Sequence, residues 1–115
     1  MKIAYIAHPI SGDVEGNIKK VLQIVREVCI NESNVMPYAA YIVDCMALDD
    51  SIPEERTRGI KNDIAIFKKK GFLDEVRLYG NRISYGMKCE IELARSEGIP
   101  IIAMTEETKL DLGSL

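Results

Sequence analysis

Two glutamates, Glu90 and Glu92, follow the stretch Ser84-Tyr85-Gly86-Met87-Lys88-Cys89 and precede Leu93-Ala94. Ser84 has the chemistry of a helix N-cap, since its hydroxyl can accept from an orphan N–H of the first turn. On a helix, residues three and four apart share a face. Glu92 then has Lys88, Cys89, Arg95 and Ser96 as neighbours, a mostly polar set. Glu90 has Gly86, Met87, Leu93 and Ala94, all apolar or small. Glu92 is therefore a solvated carboxylate, and Glu90 is a carboxylate set into the packed side of its helix. Burying a charge is costly unless something offsets it. Asp63 raises the same question, with Gly59, Ile60, Ile66 and Phe67 at the same spacings and Arg56 two turns earlier on roughly the same side. Capping backbone or pairing with Arg56 is the structural use of Glu90, and Asp63 has the structural reading of a helix carboxylate near its own Lys pair.

The elements that must position these groups follow from periodicity. Lys2 to Ala7 is a short run apolar on both alternating faces, which suits a strand of a parallel sheet covered on both sides. The loop His8 to Gly12 carries turn chemistry and contains the lone histidine, a candidate ligand contact. Val14, Ile18, Val21, Leu22, Val25 and Val28 then repeat as an amphipathic helix. Asn17, in its first turn, is placed to hold the loop by hydrogen bonds. Val35 to Tyr38 reads as a short strand whose pairing Pro37 limits. Ala39 to Leu48 reads as helical, and Asp49-Asp50-Ser51 breaks it. A helix should run from Pro53, a favoured first position, to about Lys70, with Ile60, Ile64 and Phe67 on its apolar side. Glu75 to Gly80 is a third strand, Ser84 to Ser96 a helix, and Ile99 to Met104 a fourth strand. Glu106 to Leu115 reads as a polar, partly helical tail.

Strands alternating with helices imply a parallel sheet with right-handed crossovers. The expected fold is a single α/β domain over residues 1–115, a flavodoxin- or Rossmann-like sheet of four to five strands flanked by helices. Such a sheet gathers the carboxyl ends of its strands into one crevice. There the loop His8-Pro9-Ile10-Ser11-Gly12 would meet the segment Gly80 to Gly86. Small residues and a helix N-terminus favour an anion, with phosphate the natural candidate.

Composition narrows the function classes. Hydrophobic residues are 47% and charged residues 29%, ordinary for a globular domain. The net charge is −3, and Lys68-Lys69-Lys70 is the only basic cluster, which argues against binding a nucleic-acid polymer. Cys29, Cys45 and Cys89 form no CxxC pair, and with one histidine a structural zinc site is not expected. Free thiols point to a reducing cytoplasm. The N-terminal apolar run is too short for a signal peptide, and no run approaches a membrane span.

Two motifs resemble the nucleoside 2-deoxyribosyltransferase-like superfamily, most closely its small bacterial and phage members. Tyr5-Ile6-Ala7-His8-Pro9-Ile10-Ser11-Gly12 is similar to that family's first strand and substrate loop. Ser84-Tyr85-Gly86-Met87-Lys88-Cys89-Glu90-Ile91 with Ala94 is similar to its G-x-x-x-E-[IL]-x-x-A helix start. The resemblance implies that Glu90 is a nucleophile, Tyr5 a neighbouring active-site tyrosine and Asp63 the acid that handles the leaving base. Six residues before the glutamate the transferases carry aspartate and the nucleotide hydrolases a phosphate-binding serine, so Ser84 implies a 5′-phosphorylated ligand. The hydrolases carry Ser and Arg where this chain has Pro9 and Ser11, which leaves Arg56 to supply a cation. The family often has Gly at the position of Glu92.

The implied reaction is cleavage of the N-glycosidic bond of a nucleoside 5′-phosphate. An ionised Glu90, held by the Tyr5 hydroxyl, would attack the anomeric carbon. Asp63, its pKa raised by apolar surroundings, would protonate the base. Ser84, Gly86, His8, Pro9, Ile10, Ser11, Gly12, Asn17 and Arg56 would surround the ligand. No metal and no cofactor are expected. The resemblance also implies a homodimer or higher homo-oligomer. The alternative expectation is a protein that keeps the pocket and binds a nucleotide without turnover.

Overall fold

The computed structural model describes Met1–Leu115. Its elements are β1 (Lys2–Ala7), α1 (Val14–Asn31), β2 (Val35–Tyr38), α2 (Tyr41–Ala47), α3 (Pro53–Lys68), β3 (Glu75–Leu78), α4 (Tyr85–Ser96), β4 (Ile101–Ala103) and α5 (Glu106–Gly113). The strands form one parallel sheet in the order β2-β1-β3-β4. This is a flavodoxin- or Rossmann-like α/β domain with four strands. Chain order reverses between β1 and β3, and their carboxyl ends therefore flank the crevice where such sheets take ligands.

Alternation along the strands divides the core in two. Tyr5 pairs with Val76, and Ala7 with Leu78. These residues face Phe67 of α3 and Met87, Ile91 and Ala94 of α4 in the larger buried cluster. Ile6 faces the other way and packs with Val21 of α1 and Ile42 of α2. β2 is an edge strand, so Pro37 opposite Ala4 is tolerated there.

Several details differ from the sequence expectations. Val14 and Leu22 are 46% and 52% exposed, because α1 buries a narrower stripe centred on Val21 and Val28. Ile60 is 52% exposed, and α3 meets the core through its C-terminal half, ending on Phe67. All four residues of β3 are buried, including Glu75 and Arg77, which hydrogen-bond to each other.

The tail, expected to be partly helical, is helical over Glu106–Gly113 and carries a cap that the sequence reading did not name. The cap is reciprocal: Thr108 N–H donates to Thr105 Oγ1 at 3.1 Å, and Thr105 N–H to Thr108 Oγ1 at 3.2 Å. Thr108 is fully buried and its hydroxyl donates to the Leu78 carbonyl at the end of β3. The Thr105 hydroxyl donates to the Gly80 carbonyl at 2.8 Å, and Asp111 accepts from Ile83 N–H at 2.9 Å. This helix braces the loop that leads into Ser84.

Candidate functional site

Tyr5 stands in the middle of β1 with no solvent exposure. Its ring packs against Phe67 at 4.8 Å between centroids, Tyr41 at 5.6 Å and Tyr38 at 6.3 Å. The ring is thereby fixed, and so is its hydroxyl. Tyr5 Oη lies 2.6 Å from Asp63 Oδ1 of α3 and is also hydrogen-bonded to Glu90 Oε2 of α4. Three elements far apart in sequence thus converge on one phenol. Glu90 is half-buried among Met87, Ile91 and Ala94, whereas Glu92 is exposed on the other side of α4.

The electrostatics of this trio follow from its composition, two carboxyls and no cation. Burial, then the Asp63 charge, pushes the Glu90 carboxyl well above the usual range. Burial also raises Asp63, against the pull of the Tyr5 hydroxyl. Burial and both carboxylates push the Tyr5 phenol up, so it stays protonated. Hydrogen counting gives the same answer. A phenol has one hydrogen and can donate to only one carboxylate. Its second short contact must be one that it accepts, so one carboxyl holds a proton. Both carboxyls are raised by burial, so the pair shares that proton. The raised Asp63 agrees in direction with the expected acid, whereas the raised Glu90 departs from the ionised carboxylate expected there.

Around the crevice, Ser84 caps α4, its Oγ accepting from Met87 N–H at 3.3 Å. Gly86 in the first turn is exposed, with open space where a side chain would project. Ser11 and Gly12 are exposed at the tip of the first loop. Asn17 holds that loop by donating from Nδ2 to the Ile10 carbonyl at 2.9 Å. Pro9 is fully buried against Gly80. A Cβ at Gly80 would stand 2.7 Å from Pro9 Cδ, and its φ of 93° already favours glycine, so the two loops meet only because residue 80 has no side chain.

His8 is buried, and its Nδ1 donates to the Pro9 carbonyl at 2.6 Å. Burial, with the charges of Lys20 and Arg82, lowers its pKa despite that bond, so the imidazole is neutral at pH 7. Arg56, by contrast, is exposed and pairs with no carboxylate, Glu90 included. The cations acting on the first loop are Lys20 and Arg82, which sequence reasoning passed over.

Tyr41 was also missed. Its hydroxyl donates to the Ile6 carbonyl at 2.6 Å, which fastens α2 to β1 beside Tyr5. A recess of about 240 Å³ lies elsewhere, lined by Lys88, Ile91, Glu92, Arg95 and Leu115, and contains none of the trio.

Strand order and crevice define a flavodoxin-like α/β domain with a tyrosine-bridged carboxyl pair beside its topological switch point. Residues 2–104 match the family described as Domain of unknown function (DUF7768), and the chain belongs to that family. No curated protein matches the sequence. No helix is long and apolar enough to cross a membrane.

Proposed function

We propose that the protein cleaves the N-glycosidic bond of a deoxynucleoside 5′-phosphate, as an N-glycosidase or pentosyltransferase. The single observation that supports this most is the Tyr5 hydroxyl shared between Glu90 and Asp63. Two carboxyls gathered on one hydroxyl suit two-carboxylate glycoside chemistry, in which one attacks the anomeric carbon and the other handles the proton. Glu90, once ionised, attacks C1′ and the C1′–N bond breaks. Asp63 delivers a proton to the departing base. Water then opens the glycosyl ester, returning a proton to Asp63 and releasing the sugar phosphate. The N-terminus of α4 suits the 5′-phosphate: the Ser84 hydroxyl accepts from Met87 and still has its own hydrogen to donate. The resemblance of the Ser84–Glu90 motif to the nucleotide hydrolases points the same way, as does the likeness of the first loop to that superfamily's substrate loop.

The test is incubation with the deoxynucleoside 5′-monophosphates and chromatography for free base. Wild-type protein should release base and Glu90→Gln should release none. Release that persists in the variant removes Glu90 as nucleophile.

Binding without turnover is the second reading, favoured by one observation. Burial and the Asp63 charge push the Glu90 carboxyl well above the usual range, which opposes its ionisation as a nucleophile. That reading predicts that nucleotides raise the melting temperature while prolonged incubation yields no base.

A further inference from the structure

Resting on the reading of a nucleoside 5′-phosphate in the crevice, a phosphate at the α4 N-terminus still lacks a counter-charge. His8 supplies an uncommitted group beside it. The residue is 8% exposed. Its Nδ1 must keep a hydrogen, because its partner there, the Pro9 carbonyl, can only accept. In the neutral ring Nε2 is then a bare lone pair. Nε2 has no hydrogen-bond partner, yet no enclosed side-chain polar atom lacks one, so Nε2 reaches open space. It lies 3.4 Å from where a Cβ of Gly80 would stand. That space is therefore the gap between the first loop and the end of β3.

We propose that His8, Lys20 and Arg82 form an anion subsite for the substrate's phosphoryl group, with His8 Nε2 making the contact. Arg82 lies midway along the loop from Gly80 to Ser84. Lys20 stands one turn beyond Asn17, the residue that holds the first loop through the Ile10 carbonyl. Both cations are exposed, and neither pairs with a carboxylate. Both act on His8, and no carboxylate does. Two unpaired cations on one side of a crevice favour an anion between them. Pro9 and Ser11 replace the loop donors of the nucleotide hydrolases, so here the cations come from α1 and from the β3–α4 loop.

Hydrogen counting adds a consequence. A bare lone pair and a phosphate oxygen cannot bond without a hydrogen between them. A phosphate monoester gives up its second proton at about pH 6. Burial, then the charges of Lys20 and Arg82, keep the imidazole neutral at pH 7. At pH 8 both partners therefore arrive without the proton, and binding takes one from solvent. An N–H bond forms at Nε2 and donates to the phosphate oxygen. The phosphate charge offsets Lys20 and Arg82, the two charges that had opposed the imidazolium.

The test is calorimetry of the intact protein with a carbocyclic deoxynucleoside 5′-monophosphate, whose C–N bond does not cleave. Titrations at pH 8 in buffers of different ionisation heat count the protons taken up. Wild type should take up about one proton per nucleotide and bind the unphosphorylated probe at least about tenfold more weakly. His8→Asn places an amide nitrogen where Nδ1 stands, which keeps the bond to Pro9 and removes Nε2. It should take up no proton and bind the nucleotide about tenfold more weakly. Arg82→Gln and Lys20→Gln, at exposed positions, should each weaken the nucleotide about tenfold and leave the unphosphorylated probe unchanged. Nucleotide binding without proton uptake in wild type overturns the subsite, even where His8→Asn weakens it, because Nε2 then accepts from a sugar hydroxyl. Undiminished binding in Arg82→Gln and Lys20→Gln overturns it too. Either result leaves the glycosidase reading to the assay for free base. Proton uptake with no base released from the deoxynucleoside 5′-monophosphates supports the subsite and overturns that reading. A nucleotide that does not bind overturns both.

Discussion

Two clusters of buried charge occupy opposite faces of the same sheet. Tyr5 pairs with Val76 and Ile6 with Arg77, so alternation sends Tyr5 and Arg77 to different sides. On the Tyr5 side, Glu90 and Asp63 share a phenol and face no cation. On the other side, Arg77 grips Glu32 at the end of α1 with both terminal nitrogens, at 2.8 and 2.9 Å, and Glu75 with Nε at 2.6 Å. Lys2 reaches Glu75 at 2.9 Å. Burial costs a carboxylate heavily on either face. One cluster offsets that cost with a proton, the other with cations. The carboxyl shifts run in opposite directions accordingly. Burial pushes Glu75 up, but Arg77 and Lys2 outweigh it and hold it below the usual range, and the Arg77 hydrogen bonds hold Glu32 down. Glu90 and Asp63 are raised. Matched ion pairs make a brace; a raised carboxyl pair with no cation beside it is the kind of arrangement that marks a candidate functional site.

The largest effect that could break this contrast is a loss of stability. Arg77→Met should strand Glu75 as a buried, under-compensated charge and cost about 3–5 kcal/mol in urea unfolding. Glu90→Gln replaces a protonated carboxyl by a neutral amide of similar shape and should cost less than about 1.5 kcal/mol. Equal losses in the two variants would show that both clusters are structural.

Next in size is the pH dependence, which should take opposite signs. Glu90 has its folded pKa raised above the ordinary 4.5, so its share of stability is complete below that value. That share is lost as pH rises through the raised value. Glu75 is lowered, so its share is complete above 4.5 and lost as pH falls through the lowered value. Melting temperatures across pH should therefore move in favour of Glu90→Gln over wild type as pH rises above 4.5. The advantage of wild type over Glu75→Gln should shrink only on the acid side. Parallel curves for the two variants would erase the distinction.

Much of this arrangement was legible before any coordinates. The periods of 3.6 and 2 located the helices and strands because each records which face a residue buries. Glu90 and Asp63 stood out because their helical neighbours are apolar, a property that four residues on either side suffice to show. The Tyr5 bond to Glu90 was anticipated through the motif resemblance, but other supporting partners were not legible, because they lie far off in sequence. Tyr41 bonds Ile6 across 35 residues, and Arg77 bonds Glu32 across 45. Arg77 within a strand reads as a wet face until its counter-ions are seen. Apolar surroundings were expected to raise Asp63 while Glu90 stayed ionised, and only the three-way contact shows that the two carboxyls share a proton. Thr105 and Thr108 were missed because the tail is polar and the second member of the cap is Thr rather than the usual Glu or Gln.

The smallest predicted effect concerns the cap of that helix. Thr105→Ala removes the cap of α5 and its bond to the Gly80 carbonyl, and should cost about 1 kcal/mol. Such a loss would be unremarkable at any helix end. Here α5 also holds the loop between β3 and α4 through Gly80 and Ile83. That loop delivers Ser84 to the crevice. The variant should therefore shrink the thermal shift produced by a deoxynucleoside 5′-monophosphate by more than the cap loss alone explains. Arg77 also bonds Tyr79 at the start of that loop, so the control is Lys2, which pairs with Glu75 at the far end of β3; Lys2→Ala should leave the nucleotide shift intact. A nucleotide shift unchanged in Thr105→Ala would mean that the loop holds its shape without α5, and that only the Pro9–Gly80 contact sets the mouth of the site.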